Sequence, residues 1–131
     1  MSRERVERLH RDYETFNATK RIDDTAIAPD VVVIAPDNML GGGVLRGRDA
    51  VARNVREFTD TFDDFRVDVE KVFDGGDRIL AFVRFRGRAH GSGIPLDLPL
   101  AHLWTFRGDL AVEQRVYLDR EEALEAVGLR E

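Results

Sequence analysis

The 131-residue chain contains no cysteine. This absence excludes a disulfide framework, a thiolate metal site and a cysteine nucleophile, and it is typical of a cytoplasmic protein. Long apolar runs are also absent from the sequence, and no segment approaches the roughly 20 residues that span a bilayer. The first ten residues, MSRERVERLH, carry interspersed charges in place of the apolar segment of a secretory signal. We therefore expect a cytoplasmic protein that neither crosses a membrane nor is exported.

Lysine is scarce, and the overall charge is negative. Lys20 and Lys71 are the only lysines, and the formal net charge is −5. A chain without a net basic surface lacks the attraction that holds nucleic acid, so we expect no nucleic-acid partner. The glycine run at 41–43 is not followed by the lysine and hydroxyl residue of a phosphate-binding loop, which makes it a plain connection. No acidic residues complete a ligand set around the histidines at a fixed spacing, so we expect neither a metal nor a cofactor.

The composition and the hydrophobic pattern predict one globular domain spanning residues 1–131, since 43% of the residues are hydrophobic and 34% are charged. Apolar spacings of three and four residues predict helices, and alternation predicts strands. The predicted helices cover residues 3–20, 22–28, 48–62 and 120–127. The predicted strands cover residues 31–34, 65–74, 78–90, 94–106 and 110–118. Glycine-containing turns join the last four strands into an antiparallel meander.

These elements predict an α+β fold. Because helices precede a long antiparallel sheet, we expect the sheet to curve around three N-terminal helices as a cone-shaped roll, with a short helix at the C-terminus. In the strand over 78–90 both faces begin apolar, so periodicity does not say which face is buried. Asp119 and Gly128 supply the start and stop signals of the final helix.

A histidine interrupts the apolar face of the strand over 94–106. Leu100, Trp104 and Phe106 share that face with His102. An ionisable ring among apolar neighbours has a tunable pKa, and its ordinary pKa of about 6.5 suits proton transfer near neutral pH. His102 is therefore a candidate general acid or base acting on a carbon next to a carbonyl. The alternative is a neutral imidazole that hydrogen-bonds a backbone carbonyl or Tyr13 and only fills space, and the sequence leaves both open.

Several further residues are candidates for the same site. Tyr13 lies on the apolar stripe of the first helix and is either a core aromatic or a hydrogen-bond donor to a ligand carbonyl. Trp104 is a candidate pocket wall, and Gln114 is a polar residue in an apolar row that could orient a ligand or His102. Arg84 either belongs to a solvated or dimer-facing row or turns inward to hold an anionic ligand group. The remaining candidate ligand contacts are apolar: Phe58, Val33 and Leu100.

Five short motifs distributed over nearly the whole chain carry a family resemblance. They are Tyr13-x-x-Phe16-Asn17, Pro29-Asp30-Val31-Val32, Gly47-Arg48-Asp49-Ala50-Val51, Trp104-Thr105-Phe106-Arg107-Gly108 and Tyr117-Leu118-Asp119-Arg120. Together with the order of elements, they resemble the SnoaL-like branch of the nuclear transport factor 2-like superfamily, with its polyketide cyclase and ketosteroid isomerase relatives. The resemblance is specific for the fold and poor for activity, because this superfamily contains enzymes, binding modules and protein-interaction domains.

The resemblance implies a pocket inside the cone and a homodimer formed through the outer face of the sheet. His102 matches the position at which ketosteroid isomerases and SnoaL-type cyclases carry a functional aspartate that points into the cone. The isomerases' general base is an aspartate before a proline at the end of the first strand, and here that position is Ala35, before Pro36. Isomerase chemistry by the usual arrangement is therefore not expected.

Two hypotheses follow for the function. In the first, the pocket binds a small, largely apolar carbonyl compound and transfers a proton on it, as a cofactor-independent isomerase, cyclase or hydrolase, with His102 as acid or base and Tyr13 as donor. In the second, the chain is a non-catalytic dimeric module that binds ligands or proteins, and its vestigial pocket is filled by Trp104, Phe85 and Phe106. A cavity of roughly 300 Å³ or more, on which His102, Tyr13 and Gln114 converge, would favour the first.

Overall fold

The computed structural model describes residues 2–128. Within them, three helices and six strands follow one another in the order α1 (Ser2–Thr19), β1 (Ile27–Ala35), β2 (Gly43–Arg46), α2 (Arg48–Thr61), β3 (Phe62–Asp74), β4 (Arg78–Ala89), β5 (Pro95–Arg107), β6 (Leu110–Tyr117) and α3 (Arg120–Ala126). The α+β class is as predicted. No helix in this part of the chain has the length and apolar character that crossing a bilayer requires.

The six strands form one curved sheet in the order β2-β1-β6-β5-β4-β3. The predicted meander is present, because β3, β4, β5 and β6 pair antiparallel in sequence order. The expectation of a wholly antiparallel sheet is wrong, since β1 pairs parallel with β6 and places Val33 beside Gln114. Parallel neighbours need a long connection between them, and α2 together with the three intervening long strands supplies it.

The prediction of three N-terminal helices is also wrong. Only α1 precedes the sheet, and α2 lies between β2 and β3. Within 22–28, residues 24–26 form a turn, the carboxylate of Asp23 accepts from the backbone N–H of Thr25 at 2.8 Å, and β1 already begins at Ile27. The carbonyl of Ala26 accepts from the N–H of Ala111, so this segment joins the sheet where a helix was expected. A side chain that caps its own turn competes with helix formation, and this explains the failed prediction.

The first strand is longer than the predicted 31–34, and its partner β2 was not predicted at all. β2 has only four residues and pairs antiparallel with β1, for example Leu45 with Val33. Four residues directly after a glycine run are too few to show a period, so pairing with a neighbouring strand creates this element.

The main core lies between α1, α2 and the inner face of the sheet. On β4 the inward residues are Ile79, Ala81 and Val83, all fully buried. Leu80 and Phe82 on the opposite face are buried as well, because they pack with α3 in a separate small cluster. Both faces of β4 are therefore covered, and this explains why its sequence alternation is ambiguous.

Candidate functional site

A cavity of about 150 Å³ opens between α1, α2 and the inner face of the sheet. Its lining is predominantly apolar and aromatic, with Phe58, Phe65 and Phe85 packed ring against ring. Asp23 and Leu40 are exposed members of the lining, and they lie where the cavity meets solvent. This volume is about half of the roughly 300 Å³ that would favour the first hypothesis.

A chain of hydrogen bonds connects three aromatic residues of the lining. The indole Nε1–H of Trp104 donates to the hydroxyl of Tyr13 at 2.9 Å, and that hydroxyl lies 2.8 Å from Nδ1 of His102. An indole only donates, so the tyrosine oxygen is the acceptor in the first bond. The tyrosine then has one hydrogen to give, and Nδ1 is the acceptor within reach. When Tyr13 donates to Nδ1 in this way, the ring hydrogen of His102 lies on Nε2.

Burial keeps both titratable members of this chain uncharged. His102 is 5% exposed, and burial lowers its pKa from 6.5 to about 3. Burial raises the pKa of Tyr13, and the hydrogen bond from Trp104 opposes that rise only in part. Desolvation decides the direction, because no acid among residues 2–128 contributes to the shift. At neutral pH His102 is a neutral ring, and its Nε2 has no hydrogen-bond partner among residues 2–128.

Six of the eight sequence-predicted site residues line this one cavity: His102, Tyr13, Trp104, Gln114, Phe58 and Val33. Gln114 is half-buried, lies opposite Trp104 in the β5–β6 ladder, and makes no side-chain hydrogen bond within the described part of the chain. Its amide and Nε2 of His102 are therefore two polar groups of the lining that have no protein partner. The catalytic and ligand-binding roles of the six residues remain predictions.

Two of the predicted ligand contacts lie elsewhere. Leu100 is fully buried on the inner face, but it packs in the main core and does not border the cavity. Arg84 lies on the outer face, because the inward positions of β4 are the odd-numbered ones. Its Nε lies 3.2 Å from Glu70 and its Nη1 lies 2.9 Å from Asp97, so its charge is paired outside the cone. We therefore withdraw Arg84 and Leu100 as ligand contacts.

Asp12 is a lining residue that sequence reasoning missed. It directly precedes Tyr13 on α1 and is half-buried, and burial raises the pKa of its carboxyl while the nearby Arg8 opposes that rise. A charged residue beside the apolar stripe of an amphipathic helix is normally read as solvent-facing. Nothing in the sequence separates Asp12 from the other charges of α1.

Asn54 is the second lining residue that sequence reasoning missed, although the sequence contains a signal that points to it. It follows Val51 by three positions on α2, so it interrupts an apolar stripe in the same way that His102 interrupts its strand. Its Oδ1 is buried without a hydrogen-bond partner. Gly41 packs against this amide so closely that a Cβ there would lie 1.7 Å from Oδ1. The glycine run is thus partly a packing requirement at the rim of the cavity.

The described residues contain no group of three or more histidine or acidic side chains arranged to hold a metal ion. The lining also includes no lysine or arginine. What this set of side chains offers chemically is therefore hydrogen bonding, apolar contact and the two carboxylates of Asp12 and Asp23.

Solved structures of other proteins share this fold. An NTF2-like protein of unknown function from Burkholderia pseudomallei is 26% identical, with a TM-score of 0.75 over 94% of this chain and 96% of its own. TerC, crystallised with polyporic acid, is 20% identical, with a TM-score of 0.76 over 95% and 98% of the two chains. A Catenulispora acidiphila protein with a ketosteroid isomerase-like fold, in complex with trimethylamine, is 21% identical, with a TM-score of 0.64 over 87% and 82%.

The sequence itself identifies the family. No protein of curated function matches the chain significantly. Residues 6–114, however, match the SnoaL-like domain, and this match includes most of α1, all of α2 and most of the sheet. The chain therefore belongs to the SnoaL-like domain family.

Proposed function

We propose that this SnoaL-like domain binds a small, largely apolar carbonyl compound in its cavity and holds the carbonyl oxygen with the Nε2–H of His102. One observation carries the proposal: the Trp104–Tyr13–His102 chain of hydrogen bonds leaves Nε2 as a donor without a partner on a buried ring. Nε2 is not among the fully buried polar atoms that lack a partner, so it meets the open space of the cavity, where a ligand oxygen could accept a hydrogen bond from it.

The chemistry favours polarisation of the carbonyl by a neutral imidazole. With a pKa of about 3, His102 carries almost no imidazolium at neutral pH, so it is poorly suited to the role of general acid. A neutral imidazole can instead polarise a carbonyl by donating a hydrogen bond, as it does in some isomerases. Tyr13 gives its hydrogen to His102 in this arrangement and acts as a positioning residue.

The size of the cavity limits the ligand. A cavity of about 150 Å³ is comparable to one that accepts benzene, so the ligand has about one ring. Trp104, Phe58 and Val33 would provide its apolar walls, and the unpaired amide of Gln114 would contact a second polar atom. Two proteins of the same fold were crystallised with small organic molecules, polyporic acid and trimethylamine, which supports a small-molecule role for this cavity.

The small volume also favours the second hypothesis, a non-catalytic module with a vestigial pocket. The homodimer that this hypothesis includes stays a prediction. On the outer face, the apolar residues Leu80, Phe82 and Leu103 are covered by α3 of the same chain. The uncovered part carries ion pairs, including that of Arg86 with Asp68 at 3.0 Å, so a dimer formed there would have a largely polar interface.

A pair of one-ring probes tests the proposal. Cyclohexanone carries the carbonyl, whereas methylenecyclohexane has nearly the same shape without an acceptor. We expect the wild-type protein to bind cyclohexanone roughly tenfold more tightly, the factor expected for one well-made hydrogen bond. The preference should disappear in His102→Leu and persist in His90→Leu, because His90 is exposed and outside the cavity lining.

Ligand-detected NMR gives both affinities, and circular dichroism checks that each variant is folded. Equal affinity of the wild-type protein for the two probes would contradict the role of His102 without recourse to any variant. Absence of binding by both probes would favour the vestigial pocket.

A further inference from the structure

We infer that the loop between β1 and β2 is a lid, which opens over the cavity while the rest of the fold stays intact. The loop comprises residues 36–42, and Met39, Leu40 and Gly41 line the cavity. Leu40 is 40% exposed, so the loop lies between the cavity and solvent. The inference concerns access to the cavity for any ligand, and it therefore goes beyond the proposed function.

The hydrogen bonds of this loop do not attach it to the rest of the protein. The N–H of Met39 donates to the carbonyl of Pro36 at 3.2 Å, and the N–H of Gly42 donates to the carbonyl of Met39 at 2.9 Å. Both bonds lie within the loop, and in the described part of the chain no other hydrogen bond holds residues 36–42. The loop can therefore move as a unit without breaking a hydrogen bond.

Two other turns of the sheet are attached to a helix. Arg5 of α1 donates from Nη1 to the carbonyl of Gly76 at 2.7 Å and from Nη2 to that of Gly108 at 2.8 Å. These bonds join the β3–β4 and β5–β6 turns to α1. The β1–β2 loop is held instead by the side chain of Met39, which packs against the main core, and by the contact of Gly41 with α2. Segments with so few attachments open at a lower free energy than the fold as a whole.

The contact of Gly41 with Asn54 opposes closure. Gly41 packs against Oδ1 of Asn54, and this oxygen is buried without a hydrogen-bond partner. A buried acceptor without a partner destabilises the state that buries it, and opening of the loop lets water donate to this oxygen. Packing of Met39 acts in the other direction and favours closure. The glycines at 41–43 provide the hinge, because Gly41 and Gly43 already have φ of +70° and +97° and glycine has the widest backbone freedom.

Thiol labelling of Asn54→Cys measures the opening without any ligand. The chain has no cysteine, so the introduced thiol is the only one, and it lies beneath Gly41. Val83→Cys is the matched control, because Val83 is fully buried in the main core on β4. We expect the thiol at position 54 to react with an aromatic disulfide reagent roughly 100-fold faster than the control, and its rate to change little in low urea, since a local opening exposes little surface.

Two results of this labelling would overturn the lid. Equal rates with the same dependence on urea would mean that position 54 is exposed only by global unfolding. A rate equal to that of free cysteine would mean that the loop does not cover position 54. Neither result depends on whether the cavity binds a carbonyl compound, so the lid and the proposed function can fail separately.

A disulfide between the loop and α2 tests the consequence for the cavity. Cγ of Asn54 lies 2.7 Å from a Cβ added at Gly41, so the two Cβ atoms of Gly41→Cys/Asn54→Cys would be about 4 Å apart, as a disulfide requires. Trp104 is the only tryptophan and lines the cavity, so quenching of its fluorescence by acrylamide reports access. We expect the quenching constant to fall when the variant is oxidised and to recover on reduction. An unchanged constant, or failure of the disulfide to form, would contradict the lid.

Discussion

The hydroxyl of Tyr13 lies 2.8 Å from Nδ1 of His102, and the two residues are 89 positions apart in the chain. This contact joins α1 to the middle of the sheet and directs the histidine's second nitrogen away from the helix. Since Trp104 donates to the same hydroxyl at 2.9 Å, Tyr13 uses both its acceptor and its donor capacity inside the protein. The contact therefore fixes the position of the ring, and donation from Tyr13 to Nδ1 corresponds to the tautomer with its hydrogen on Nε2.

Removal of the Tyr13 hydroxyl should destabilise the protein. In Tyr13→Phe both Nδ1 of His102 and Nε1–H of Trp104 lose their partner, and leaving buried groups unpaired costs about 1 to 3 kcal/mol. The measurement is the free energy of unfolding from denaturant titration. Tyr117→Phe is the matched control, because Tyr117 is half-buried on the outer face and its hydroxyl makes no side-chain hydrogen bond in the described structure. A loss equal to that of the control would show that the hydrogen-bond chain does not contribute to stability.

Acidification should destabilise the protein through His102. Its folded pKa of about 3 lies below the unfolded value of 6.5, so the unfolded state binds the proton more readily. The stability contribution is intact above pH 6.5 and is lost as the pH falls from there toward the folded pKa. Between pH 7.5 and 5.5 the unfolding free energy should decrease by about 1.4 kcal/mol from this residue alone.

The comparison with His102→Leu isolates this effect, because the variant has the same other titratable groups. The difference in unfolding free energy between wild type and variant should change by that amount across this pH interval. A pH-independent difference would mean that the ring is not held neutral by burial.

Gly41→Ala should destabilise the protein more than the same substitution at a left-handed glycine that has open space around it. Gly41 has φ +70°, and an added Cβ would lie 1.7 Å from Oδ1 of Asn54. Gly76 is the matched control, since it has φ +88° and no atom within 4 Å of the added Cβ. Both substitutions carry the cost of a left-handed backbone, about 1 kcal/mol. Only Gly41→Ala also displaces Asn54 at the rim of the cavity, so it should lower the thermal midpoint further and weaken probe binding. Equal midpoints for the two variants would show that this packing is not a constraint.

The strand pattern predicted the central residue of the site, because a strand with one buried face has an apolar residue at every second position. His102 and Gln114 are each a polar residue in an apolar row, and both line the cavity. The same pattern could not orient β4, because Leu80 and Phe82 on its outer face are covered by α3. Alternation reports burial on one face only when the other face is solvated.

Features that depend on tertiary partners were not predictable from the sequence. The turn at Asp23 replaced a predicted helix because its side chain caps the local backbone and Ala26 pairs with the last strand. The parallel pairing of β1 with β6 joins segments about 80 residues apart and leaves no local signal. Asp12 was missed because its partial burial comes from the residues packed around α1, and a charge on a helix does not record which neighbours cover it.

The most direct test of the central claim is the ¹⁵N NMR spectrum of the His102 imidazole, recorded from pH 5 to 8 with and without cyclohexanone. The account predicts a neutral ring across this range, with the hydrogen on Nε2, an unprotonated Nδ1, and a shift of the Nε2–H signal when cyclohexanone binds. A ring that titrates near pH 6.5, carries its hydrogen on Nδ1, or keeps its Nε2 signal unchanged as cyclohexanone binds would contradict it.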